Sequence, residues 1–233
     1  MWGYMFMKRG FTLLEILICL IVIGTLLAIL FPVFLYVRNN SKRISTFSSL
    51  RNLGVAWQMY MSDYDDYVMR GSYGGSNWFG VGGDNGVLFS YVRMRDIRDK
   101  SIDDYKFNTV WYWPGYGYNS YLSVNDKFGK PSAIHFSSIM DPSSTVCFAP
   151  SAGLFRVNGV ESLYGVSLLS YPSSRFPTFH ARFSGYSGVL WVDGHVSNVR
   201  AKYLLSDRKY KMLSLGEIDR DNDWRTNEYF DLD

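Results

Sequence analysis

Cysteine is almost missing from this 233-residue sequence, Cys19 and Cys147 being the two present. They stand far apart, with Cys19 inside an apolar run, so no disulfide framework is implied. An excess of either charge is missing as well: 24 Lys and Arg face 21 Asp and Glu, which gives bulk electrostatics no reason to draw the chain to nucleic acid. The glycine-rich stretch 71–86 lacks a Gly-Lys-Ser/Thr and a preceding strand pattern, so it reads as a loop and not as a phosphate cradle. Charge is absent from Leu13 to Phe31 with the one exception of Glu15. A run of about 18 or more such residues crosses a bilayer as a helix. No small-residue cleavage site of the Ala-x-Ala kind follows closely, so the run is expected to stay in the mature protein.

What is there, ahead of this run, is a basic stretch, a glycine, and then a carboxylate one turn into the apolar residues: Lys8-Arg9-Gly10-Phe11-Thr12-Leu13-Leu14-Glu15. A charge in a membrane span costs at least about 2.5–3.5 kcal/mol near the centre, less near an end, and survives where it has a partner. A plain single-span anchor, the simpler alternative, gives Glu15 none. The octapeptide closely resembles the class III signal of type IV prepilins and pseudopilins. The resemblance implies that a prepilin peptidase cuts between Gly10 and Phe11, that Phe11 becomes an N-methylated terminus, and that Glu15 is the fifth mature residue. It also implies that Glu15 neutralises the α-amine of a neighbouring subunit in an apolar filament core, a buried pair that specifies register. Loss of Lys8 and Arg9 would leave 22 basic against 21 acidic residues, a net charge of +1. Arg38, Lys42 and Arg43 follow the span, and a charge count alone would put the C-terminal side in the cytoplasm. The prepilin resemblance implies the opposite orientation, and we follow the motif.

Beyond the span, Phe47, Leu50, Leu53, Gly54, Trp57, Tyr60 and Met61 recur at three- and four-residue steps, one face of an amphipathic helix. The membrane helix is therefore expected to run on from Phe11 to about Ser62, roughly 75–80 Å at ~1.5 Å per residue. Pro32 should interrupt it, since proline removes a donor and crowds the preceding turn. In type IV pilins a proline at this place accompanies a helix segment that loosens during assembly, and Pro32 fits that spacing. Asp63-Tyr64-Asp65-Asp66 closes the helix, and Thr145–Ala149, Leu163–Ser170 and Gly188–Val199 read as strands between breakers. Val192-Asp193-Gly194-His195 carries the Asp-Gly signal of a two-residue type I′ hairpin. A long helix followed by antiparallel strands gives an α+β class, with a sheet face packed on the Trp57 side of the helix. With the resemblance this becomes a type IV pilin-like fold divided into a leader (1–10), a membrane and filament-core helix (11–37), its amphipathic continuation (38–67), a β-rich pilin domain (68–216) and an acidic C-terminal segment (217–233).

The stretch from Leu50 to Asp65, Tyr116-Gly117-Tyr118-Asn119, Asp141-Pro142-Ser143-Ser144-Thr145-Val146 and Asp193-Gly194-His195-Val196 are similar, in this order, to blocks of the prepilin-type H-X9-DG proteins. Nine residues before Asp193-Gly194 lies Phe183, and the nearest upstream histidine, His180, is three residues further back. Ser184, His180 and Asp193 invite a catalytic triad, but no nucleophile-elbow signature accompanies them, and a loop pin between His180 and the hairpin turn is the expectation. Asp219, Asp221 and Asp223 have the alternate spacing of oxygen ligands in a calcium loop. Trp224 and Phe230 stand where an EF-hand needs glycine and a bidentate glutamate, so the choice lies between a different calcium site and a solvated acidic face. The cluster of Trp111, Tyr112, Trp113, Tyr116, Tyr118 and Tyr121 favours packing within the domain or between subunits over ligand binding.

The function these readings imply is that of a structural subunit, not an enzyme, in a type IV pilus-like extracellular filament. The alternatives are a type II secretion pseudopilin and a membrane-tethered carbohydrate- or surface-binding module that does not polymerise. The expected partners are identical or related pilin subunits in a helical homo-oligomer, prepilin peptidase, the pilus or type II secretion assembly machinery, and the inner membrane before assembly. No cofactor is required, calcium at the acidic segment being the one ion left open.

Overall fold

A computed structural model describes residues 11–73, 76–80, 86–92, 97, 115–123, 134–157, 159–203, 208–223, 225–230 and 232. The chain divides into two compact units, Met1–Ser41 and Lys42–Asp233. Helix α1, Leu13–Asp63, begins in the first and ends in the second. It continues through Pro32 without a break, correcting the expected interruption. The proline forfeits its hydrogen bond to the Ala28 carbonyl, and the apolar residues on either side keep the helix going. From Leu13 to Val37 the large apolar side chains of α1 are exposed, and among the described residues it is the one helix long and apolar enough to cross a membrane.

The second half of α1 buries Thr46, Ser49, Leu50, Leu53, Gly54, Ala56, Trp57 and Met61, the face expected from the three- and four-residue steps. Tyr60 is half-buried at its edge. The helix ends where Asp65 and Asp66 turn left-handed, at φ 52° and 60°, and the Asp66 N–H closes onto the Met61 carbonyl.

The second unit is built on a five-stranded sheet. Its strands are β3 (Tyr116–Asn119), β4 (Val146–Pro150), β7 (Leu168–Leu169), β9 (Tyr186–Trp191) and β10 (Val196–Arg200), in the order β10-β9-β4-β3-β7. All neighbours are antiparallel except β3 and β7. Among the described residues three two-stranded pairs accompany it: β1 (Ser72–Tyr73) with β2 (Ser76–Asn77), the hairpin β5 (Ala152–Val157) with β6 (Val160–Gly165), and β8 (Phe179–His180) with β11 (Leu215–Gly216). A short helix α2, Arg208–Met212, precedes β11.

Alternation along the strands sorts the core into two layers. Cys147, Phe148, Leu190 and Val192 pack with Leu50, Leu53 and Trp57 of α1, whereas Val146, Ala149, Val189 and Trp191 face Phe179, Ile218 and Phe230. A register shift between Val146 and Phe148 lets the consecutive Cys147 and Phe148 enter the same layer. Close approach of helix and sheet depends on glycine: a Cβ on Gly188 would lie 2.8 Å from Leu50 Cδ1, and one on Gly54 would lie 3.0 Å from Leu190 Cδ1. Of the aromatic cluster, Tyr116 and Tyr118 are fully buried and Tyr121 meets Tyr171 edge-on, 4.7 Å between ring centroids. Trp111, Tyr112 and Trp113 lie outside the described residues.

Candidate functional site

The start of α1 is a capping box that the sequence reading passed over, although the Thr-x-x-Glu spacing announces it. Thr12 precedes the first helical residue; its backbone N–H and its hydroxyl donate to Glu15 Oε2 at 2.8 and 2.9 Å, and the Glu15 N–H donates back to Thr12 Oγ1 at 3.3 Å. The carboxylate thus satisfies a donor that the first helical turn would leave open, and it lies at the end where the helix dipole favours negative charge. Phe11, next to it, is 82 % exposed. Gly10 lies outside the described residues.

The β9–β10 connection differs from the expected type I′ turn. Trp191 N–H bonds the His195 carbonyl and Gly194 N–H bonds the Trp191 carbonyl, leaving a three-residue loop in which Gly194 takes positive φ, 94°, and Asp193 does not. The cause is the Asp193 carboxylate, which accepts from the His195 N–H at 3.0 Å and meets His195 Nδ1 at 2.6 Å. The His195 ring stacks on Trp191. Gly194 is required by contact too, since a Cβ there would meet Gln58 Nε2 of α1 at 2.5 Å. Asp193 thus bonds His195 within the turn. His180 sits on β8 opposite Leu215, with its ring bonded to the Leu213 backbone. Burial, reinforced by the nearby Arg182, holds its pKa well below the ordinary histidine value. Ser184 lies in a left-handed turn at φ 56°.

The acidic segment is not a solvated face over its first residues. Glu217 bridges Lys202 through backbone hydrogen bonds and, with Ile218 and Asp219, is buried. Because Ile218 fills the second core layer, its neighbours are drawn in with it. Asp219 and Asp221 converge with Glu228 rather than with Asp223, one oxygen from each lying within 4.8 Å of the others. Asp223 Oδ1 instead accepts the Arg225 N–H at 3.0 Å. Burial pushes the Asp219 and Glu228 carboxyls up, while the Asp223 N–H, donated at 2.7 Å, draws Asp221 down. These are oxygen donors of the kind that hold hard cations.

Sequence comparison adds one positive finding: the family described as the prokaryotic N-terminal methylation motif matches residues 5–31. No curated protein and no solved structure matches the chain. Proteins with this motif are structural subunits that prepilin peptidase processes and that assemble with pilin partners, and the apolar helix fits membrane anchoring before assembly. The N-terminal methylation motif, followed by α1 and an antiparallel-rich α+β domain, gives the chain a pilin-like architecture.

Proposed function

We propose that the chain is a structural subunit of a type IV pilus-like extracellular filament, cut between Gly10 and Phe11, N-methylated on Phe11, and assembled through the first half of α1. The observation that carries this reading is that half-helix itself. Its large apolar side chains stand exposed, from Leu35 at 42 % to Leu13 at 86 %, directly behind a prepilin signal. So much apolar surface demands cover. A bilayer provides it before assembly, and a bundle of the same helices from identical or related subunits provides it afterwards. In the bundle Glu15 faces the α-amine of a neighbouring Phe11, and Pro32, already missing one helical hydrogen bond, is where α1 loosens.

Electron microscopy tests this reading. Filaments that label with antibody against the β-rich domain are expected on cells producing the protein, and their recovery outside the cell separates a pilus from a periplasmic pseudopilus. A labelled membrane protein that never polymerises would overturn the filament and leave a tethered module.

A further inference from the structure

Charge in the second unit is sorted along α1. The stretch 42–62 holds Lys42, Arg43 and Arg51 and no acidic residue, whereas Asp63, Asp65 and Asp66 follow at the far end. Strand β9 runs beside the helix in the same direction: a Cβ on Gly188 would lie 3.2 Å from Phe47 Cε2, Gly54 meets Leu190, and Gly194 meets Gln58. Tyr186, which opens β9, therefore lies at the Lys42 end, and the register sets Arg200, the last residue of β10, directly across from it. Alternation puts Tyr186 and Arg200 on the sheet face that carries Gly188 and Leu190, the face packed on α1. The Arg200 guanidinium lies over the Tyr186 ring, 5.8 Å from its centroid, and the Arg43 guanidinium over the Phe47 ring at 5.6 Å. Arg43, Tyr186 and Arg200 are exposed, and Phe47 is half-buried. Glu217, whose charge acts on Tyr203 beside Arg200, is itself buried and so is not presented to solvent.

We propose that this end of the second unit is a lipid-facing surface: Lys42, Arg43 and Arg200, framed by Phe47 and Tyr186, bind the phosphate headgroups of anionic glycerophospholipids while the subunit is in the membrane. The proposal rests on the reading that the first half of α1 enters a bilayer. Lys42 follows Val37, the last of the exposed apolar run, by five residues, at most about 18 Å however the chain runs between them. That reach matches the headgroup layer, about 5–8 Å deep, plus the Debye length of about 10 Å beyond it. An anionic surface attracts each Lys or Arg held at that level, and tyrosine rings favour the same interface. Ile44, 70 % exposed, adds an apolar side chain next to Arg43. Arg200 is what separates this surface from an ordinary basic flank to a span, because it comes from β10 and only the fold brings it to the Lys42 end.

The test is lipid selection by the full chain in mixed micelles that hold equal amounts of phosphatidylglycerol and phosphatidylcholine with the same acyl chains, read by native mass spectrometry of the retained lipid. The wild type should retain phosphatidylglycerol preferentially, and the preference should shrink as sodium chloride rises. Arg43→Gln and Arg200→Gln should each lower the preference about fivefold. Arg200→Lys should keep it, and so should Arg156→Gln, which removes an exposed cation from the β5–β6 hairpin. Should Arg200→Gln melt below the wild type, Arg43→Gln carries the same test. Equal retention of the two lipids by the wild type, a preference unchanged in Arg200→Gln, or equal losses in Arg156→Gln and Arg200→Gln would overturn the proposal. Abolition of the preference by inorganic phosphate, beyond the effect of sodium chloride at equal ionic strength, would also overturn it by marking a free-anion site. A chain that floats with vesicles of neither lipid would overturn the membrane reading beneath the proposal, and the proposal with it.

Discussion

Glu15 is held by Thr12 through both of that residue's donors, so the carboxylate has a local partner at the mouth of the helix. The proposed assembly would have it exchange or share that partner with a neighbour's α-amine. Replacing it by Val should leave membrane insertion intact or improved, since no charge then enters the apolar phase. Filament yield should fall sharply, and normal yield from Glu15→Val as the sole copy would contradict the pairing. Another residue-scale consequence concerns His180, kept neutral in the fold by burial. In the unfolded chain its ring titrates near pH ~6.5. The folded state therefore binds fewer protons, so the stability His180 contributes is present above that pH and is lost as the pH falls through it. His180→Gln should flatten the decline in melting temperature between about pH 7 and pH 5; an unchanged slope would show that other groups set it.

At the scale of elements, the sequence marked what depends on period and missed what depends on contact. The buried face of α1 was legible because Leu50, Leu53, Gly54 and Trp57 follow helical steps. The hairpin was legible as a turn but not in its type, because the Asp193–His195 hydrogen bonds, not the Asp-Gly pair alone, decide its geometry. Glu228 escaped notice as a partner of Asp219 and Asp221 because its distance along the chain matches no loop spacing and only the fold brings it back. The Tyr-Gly-Tyr-Asn block acquires a physical meaning that spacing could not give. Gly117 lets β7 close on β3, since a Cβ would lie 2.9 Å from the Leu169 backbone nitrogen. Tyr118 donates to the Met69 carbonyl, and Asn119 Nδ2 donates to the Val146 and Phe230 carbonyls. Gly117→Ala should therefore destabilise the fold by roughly 1–3 kcal/mol. Denaturant unfolding checks this, and a loss below about 0.5 kcal/mol would mean that β7 shifts freely.

Across the whole molecule, the long apolar half of α1 and the folded β-rich unit obey different demands. The second unit buries its own apolar surface between and behind its strands, while the first leaves its own open to a bilayer or to other helices. In the proposed assembly the prepilin signal links the two states, because removal of residues 1–10 would create the charged terminus for Glu15 to meet. The most direct measurement is the N-terminal mass of protein recovered from cells and from filaments. The account predicts a chain beginning at Phe11 and carrying one methyl group on its α-amine, with Gly10→Ala or a bulkier residue reducing its yield. Filaments built from chains that retain Met1 would contradict it.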